Sequence, residues 1–187
     1  MENENQPLVS IGVPVFNGEK KLAVALDSLF EQDYANLEII ISDNGSTDST
    51  PEICAEYVRK DHRFRYYRSE KNRGSIWNWN RVFELSSGKY FMWAAHDDHR
   101  EPLFVTACVE KMENSLNAVL CHVQTAIFIE GEEELLKVTH LDSFKGLKGL
   151  TQRYKETLKN VPMTTMYGLF RSSALRKTKL LQRSMGS

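Results

Sequence analysis

The chain has 187 residues, 41% of them apolar, with 24 basic and 25 acidic side chains for a net charge of −1. That is enough for one domain with a sizeable core, and the near-neutral balance argues against nucleic acid as a partner and against more than a peripheral association with a membrane. No apolar run approaches the ~20 residues of a membrane span.

Residues 1–7 (Met1-Glu2-Asn3-Glu4-Asn5-Gln6-Pro7) form a polar tail unlike a signal peptide, and residues 8–187 are expected to form a single domain. Residues 8–16 are predicted to be a buried strand, with Pro14 marking the end of its ladder. Asn17-Gly18 signals a turn. Leu22, Ala25, Leu26, Leu29 and Phe30 then share one helical face. Residues 37–43 read as a second strand and 44–49 as a polar loop. Thr50 before Pro51 predicts a helix start, threonine as N-cap and proline at the first helical position. Residues 64–68 are a weaker third strand, and a helix is expected over 75–85. Residues 89–95 give an apolar, aromatic fourth strand. Pro102 opens another helix, and a further strand is expected over 118–129. An acidic hairpin tip at 131–134, a helix near 151–159 and a strand near 166–170 complete the pattern. The β-α alternation predicts a mostly parallel sheet with helices on both faces. Cys54, Cys108 and Cys121 are far apart, without C-x-x-C spacing, and suit core positions in a reducing compartment.

Ligands of an open α/β sheet bind beyond the carboxyl ends of the strands. Those ends carry Pro14, Phe16, Asn17 and Glu19; then Asp43, Asn44, Gly45, Ser46 and Asp48; then Lys71, Asn72, Arg73 and Gly74; and finally His96, Asp97, Asp98 and His99. There is no G-x-G-x-x-G, no P-loop and no nucleophile elbow. Without a glycine-rich phosphate cradle, a diphosphate needs another counter-charge. A hard divalent ion on Asp97 or Asp98 supplies one, because carboxylate and phosphate oxygens together suit Mg2+ or Mn2+.

Four stretches in order carry a resemblance: Val9-Ser10-Ile11-Gly12-Val13-Pro14-Val15-Phe16-Asn17-Gly18-Glu19; Glu38-Ile39-Ile40-Ile41-Ser42-Asp43-Asn44-Gly45-Ser46-Thr47-Asp48; Asn72-Arg73-Gly74 through Asn80; and Gly88-Lys89-Tyr90 through Asp98. Together they resemble the N-terminal part of a family 2 inverting glycosyltransferase. The resemblance covers residues 8–130 well and the remainder loosely. It implies a GT-A fold, a Rossmann-like three-layer α/β/α domain. It also implies transfer of a sugar, with inversion, from a nucleoside-diphosphate sugar (UDP-sugar favoured) to a glycan or lipid-linked acceptor, as in polysaccharide biosynthesis. The protein would then work in the cytoplasm or at the inner face of the membrane.

Residue by residue, the resemblance places Pro14, Phe16 and Glu19 in the wall around base and ribose, with Asp43 as acceptor of a hydrogen bond from the base. Ser46 and Asp48 lie in the loop beside it, and Gly74 and Asn78 fall where the chain passes the nucleotide. Asp97 falls on the second acid of the D-x-D metal motif and Asp98 on the acid that follows it. Two departures stand out: Ala95 replaces the first acid, and Trp79 replaces a common arginine.

An inverting transferase needs a general base to take the proton of the acceptor hydroxyl. In this family that base is an acid well downstream of D-x-D, and Tyr167-Gly168-Leu169-Phe170-Arg171-Ser172-Ser173-Ala174-Leu175 resembles the segment before it. No acid follows Leu175, and Asp142 is the only Asp between Asp98 and the end. The base is therefore expected beyond Ser187, with the domain cut short at its C-terminal end. The rival expectation is a nucleotide-sugar-binding module that transfers nothing. A nucleotidyltransferase fits less well, because Phe16-Asn17-Gly18-Glu19-Lys20 is a poor match to a glycine- and lysine-rich first loop.

Overall fold

The computed structural model describes residues 6–128, 135–139 and 163–182. The backbone separates into two compact units, Met1–Cys121 with Leu169–Ser187, and His122–Gly168. The first unit holds a six-stranded sheet. Its strands are β1 (Val9–Val15), β2 (Leu37–Asp43), β3 (Phe64–Arg68), β4 (Tyr90–Trp93), β5 (Leu120–Cys121) and β8 (Leu169–Arg171), in the order β3-β2-β1-β4-β8-β5. β3, β2, β1 and β4 are parallel, while β8 runs antiparallel to both β4 and β5. The helices of this unit are α1 (Leu22–Phe30), α2 (Thr50–Lys60), α3 (Ser75–Glu84), α4 (Phe104–Glu113) and a single turn, α5 (Ser172–Leu175).

All seven residues of β1 and all seven of β2 are buried, as a parallel sheet covered on both faces requires. Gly12 lets α3 approach β1, since a Cβ there would lie 2.7 Å from Val82 and 2.8 Å from Phe91. Beyond it Phe83, Phe91, Trp93 and Phe170 stack edge to face or tilted, with centroids 4.9 to 6.4 Å apart. This cluster ties α3, β4 and β8 into one core. Cys54 on α2 and Cys108 on α4 are buried, as expected, and Cys121 is half-buried.

Three local expectations differ from the structure. The strand over 118–129 is two strands: among the described residues β5 pairs with β8 alone, whereas β6 (Thr125–Phe128) pairs with β7 (Leu135–Thr139) in a separate hairpin in the second unit. The strand near 166–170 begins at Leu169, after a 3-10 helix over Met163–Tyr167. Thr50 is the first residue of α2 rather than its cap, because its hydroxyl oxygen is turned to the Gly18 N–H at 2.8 Å, and Asp48 Oδ1 accepts the Thr50 N–H instead. The expected acidic tip, the helix near 151–159 and Asp142 lie outside the described residues.

Candidate functional site

The strand order reverses between β1 and β4: β2 and β3 lie on one side of β1, and β4 starts the other. That reversal opens a crevice at the carboxyl ends. Its floor follows from register. Gly12 pairs with Trp93, and its carbonyl accepts the Ala94 N–H at 2.9 Å, the last bond between the two strands. Pro14, two residues on, faces the same side, where β4 has already left the ladder. Its missing N–H therefore removes no pairing. β1 continues beside β2 to Val15, whose partner is Asp43.

The loops after β1 and β2 are stitched together. Asn17 takes φ +53°, and its N–H donates to Ser46 Oγ at 2.9 Å while its Oδ1 accepts the Thr47 N–H at 2.9 Å. The Glu19 N–H donates to Asp48 Oδ2, and the Ser49 N–H to Glu19 Oε2. Burial raises the Asp48 carboxyl, but hydrogen bonds from Thr50 and the Glu19 backbone outweigh it and hold the group below its ordinary value. Phe16, carried between these contacts, stays 41% exposed at the rim.

Asp43 is fully buried. Its Oδ1 accepts the Ser46 N–H at 2.8 Å, and its Oδ2 accepts the Tyr66 hydroxyl at 2.8 Å with Arg68 Nε at 3.4 Å. Burial, then the bond to Asp43, pushes the Tyr66 phenol up. Tyr66 and Arg68 are site residues that the strand-end survey missed. Their signal was the period-2 spacing along β3, which puts both on one side of the sheet.

The third loop hangs from Asn44. Its Nδ2 donates to Asn72 Oδ1 and the Gly74 carbonyl, and its Oδ1 accepts the Arg73 N–H. Gly45, at φ +79°, passes so close to Lys71 and Asn72 that a Cβ would lie 2.8 Å from backbone. Gly74, at φ +90° and ψ 156°, takes a conformation essentially restricted to glycine. Arg73 to Trp77 line a recess of about 330 Å3 at the start of α3. Asn78, 3% exposed, turns into the sheet: it accepts from Ser42 Oγ at 2.6 Å and donates to the carbonyls of Val15 and Ser42. Its side chain thus fastens the ends of β1 and β2, and Ser46 likewise acts within the loop clasp.

The fourth strand end differs. His96 packs over Gly18, its Cδ2 3.0 Å from where a Cβ would project. Asp97 is exposed. Asp98 lies 3.5 Å from Arg100 Nη1 and keeps a 41% exposed side chain. Among the described residues no three His, Cys, Asp or Glu side chains converge on one point. This donor set is not a closed protein cage. It fits a hard ion that takes one or two carboxylates and fills its shell with phosphate and water oxygens. Trp93, the last residue of β4, is buried and donates its indole N–H to the Trp79 carbonyl at 2.8 Å.

Comparison with known proteins agrees with this layout. An uncharacterized glycosyltransferase of Rickettsia typhi is 37% identical over 116 residues, 62% of this chain and 34% of that protein. S. aureus TarS 1-349, solved in complex with UDP-GlcNAc, superposes over 90% of this chain and 46% of that one, with 20% identity and a TM-score of 0.67. The mannosyltransferase PcManGT from Pyrobaculum calidifontis, solved with GDP-Man and Mn2+, covers 58% of this chain and 33% of its own, at 22% identity and a TM-score of 0.52. The chain thus spans about a third of the length of the Rickettsia relative and under half of TarS 1-349. The fold these structures share is GT-A. The family model for glycosyl transferase family 2 matches residues 10–181, and with nearly the whole chain inside that match the chain belongs to this family.

Proposed function

We propose that the chain is the donor-binding part of a glycosyltransferase that moves a sugar from a nucleoside-diphosphate sugar, UDP-sugar favoured, to a glycan or lipid-linked acceptor with inversion. The observation that carries this reading is the exposed Asp97 in the loop that follows β4, where the strand order reverses. TarS bound to UDP-GlcNAc and PcManGT bound to GDP-Man and Mn2+ support the ligand class. Phe16 at the rim offers a ring face for a base, and the Asp43–Ser46 turn keeps the second wall fixed.

Asp97, with Asp98 beside it, would hold Mn2+ or Mg2+. When bound, the ion neutralises charge on the departing diphosphate. The acceptor oxygen attacks the anomeric carbon, the bond from that carbon to the diphosphate breaks, and the hydroxyl proton passes to a base. Of the described acids after Asp98, Glu113 is held by Lys89 at 2.7 Å and by the Tyr90 hydroxyl. Tyr90 begins β4, so Glu113 sits at the opposite end of that strand from Asp97. Glu113 is therefore not placed to serve as that base; the second reading for the chain by itself is donor binding without transfer.

Calorimetric titration of UDP, GDP and dTDP, with and without Mn2+, tests the donor reading. We expect Mn2+ to tighten UDP binding and Asp97→Ala to abolish that gain. Binding indifferent to both would sink the reading. Release of free sugar from a UDP-sugar separates a working transferase from a holding module.

A further inference from the structure

The three cysteines are spread along the chain, and the fold sorts them into a pair and a single. Cys108 lies on the buried face of α4, and Cys121 lies in the two-residue strand β5, against which α4 packs. There the Cys108 S–H donates to Cys121 Sγ. Among the described residues Cys54 has no thiol partner. It sits on α2, which packs on β2 and β3 at the other side of β1.

The paired thiols are not equivalent. Cys108 is closed to solvent, whereas Cys121 is half-buried. The bond from Cys108, joined by the charge of Lys111 on α4, outweighs burial and holds the Cys121 thiol below its ordinary value; the same bond, then burial, pushes Cys108 up. A partly exposed sulfur beside a cation is the reactive kind, because the thiolate is the nucleophile. Cys54 is the inert kind: burial, then the charge of Asp43, pushes its thiol up to about 12. β5 is the last strand of its sheet and meets β8 over two residue pairs. Little therefore opposes the small approach to α4 that a covalent bond requires.

We propose that Cys108 and Cys121 are a redox-sensitive pair that a hydroperoxide closes to a disulfide, fastening α4 to the strand after which the second unit begins. The Cys121 thiolate attacks one peroxide oxygen, the O–O bond breaks and hydroxide leaves, giving a sulfenic acid. The Cys108 sulfur then displaces the hydroxyl. The S–S bond forms, the S–O bond breaks, and water leaves with the Cys108 proton. Two thiols are oxidised to one disulfide, and the peroxide is reduced to two waters. In a reducing compartment such a bond is transient and reports oxidation rather than supporting the fold. It also lies close to the crevice loop. Cys108 is about one turn along α4 from Phe104, whose ring lies under Arg100, the partner of Asp98. The pairing itself does not depend on the glycosyltransferase reading.

The test treats the intact chain with hydrogen peroxide, without denaturant, and counts thiols after unfolding. They should fall from three to one, with a mass loss of two hydrogens that dithiothreitol restores. Trypsin cuts after Lys111, between the two cysteines, so digestion should give peptides 101–111 and 112–137 joined through sulfur. In Cys108→Ala the sulfenic acid should persist at Cys121 and be trapped by dimedone. In Cys121→Ala neither remaining thiol should react at the same peroxide concentration. Should Cys108→Ala, a change in the core, fail to fold, the wild-type peptide map and Cys121→Ala still decide. Survival of all three thiols, a bond that includes Cys54 or joins two chains, or oxidation of Cys108 in Cys121→Ala overturns the proposal. Failure of the donor reading shows separately, as UDP binding indifferent to Mn2+ and to Asp97.

Discussion

Asp43 ends β2 and Asp97 lies four residues beyond the end of β4, and their surroundings are opposite. Asp43 has no exposed surface and answers an N–H, a phenol and a guanidinium; Asp97 stands in solvent. Asp43→Ala should therefore cost about 3 kcal/mol or more, because it leaves buried donors and the Arg68 charge unanswered. Asp97→Ala should leave the urea midpoint where it is and change only ligand binding. Equal midpoints for the two variants would show that the Asp43 contacts do not hold the loops. The sequence displays both acids equally well, as Asp-Asn-Gly and Asp-Asp after apolar runs. What it cannot display is which partners arrive from elsewhere: Tyr66 and Arg68 come from another strand, and residue type alone does not tell a ligand carboxylate from a loop fastener. The same applies to Ser46, Asp48 and Glu19, whose side chains clasp two loops.

At the scale of elements, the strands and helices of the parallel half were legible because each is long enough to show its period. β1 and β2 are seven-residue apolar runs, and α1 to α4 carry clear buried faces. β5 was not legible. Two residues of pairing leave no period, and the apolar run over 118–129 continues through the point where the chain changes sheets. Away from the crevice, a buried network joins four elements at the amino end of the sheet. Glu38 Oε1 accepts Ser10 Oγ at 2.5 Å and both the N–H and hydroxyl of Ser87, while Arg65 meets Oε2 at 2.9 Å. Burial raises the Glu38 carboxyl, but those bonds and Arg65 together hold it below its ordinary value of 4.5. A carboxyl lowered in the folded state contributes stability that is present in full above 4.5 and is lost as pH falls through the folded value. Stability measured by urea should therefore fall with acid below about pH 4.5. Glu38→Gln should be less stable at pH 7 and show a flatter acid limb. An unchanged limb would mean that other carboxylates set it.

The whole molecule has one topological feature that the element list hides. β5 and β8 are antiparallel neighbours, with Cys121 opposite Leu169. The chain leaves the main sheet at Cys121 and returns at the adjacent position after 47 residues, His122–Gly168, that form a compact unit of their own. Topologically that unit is an insertion at the tip of a hairpin. β8 in turn fills the gap between β4 and β5, and Arg171 fastens it with bonds to the carbonyls of Ala118 and Met112 and to the Tyr90 hydroxyl. The late segment is thus part of the first unit's core although it is distant in sequence. Two deletions should behave differently. Ending the chain at Gly168 removes β8 and the Phe170 ring from Trp93, and should abolish cooperative unfolding. Replacing 122–168 with Asn-Gly, a two-residue turn suited to antiparallel strands, should retain a single cooperative urea transition and the UDP binding of the full chain. If the shortened chain also fails to fold, the second unit supplies stability to the first that the hairpin topology does not predict. If it folds but loses UDP, the inserted unit contributes to the donor site.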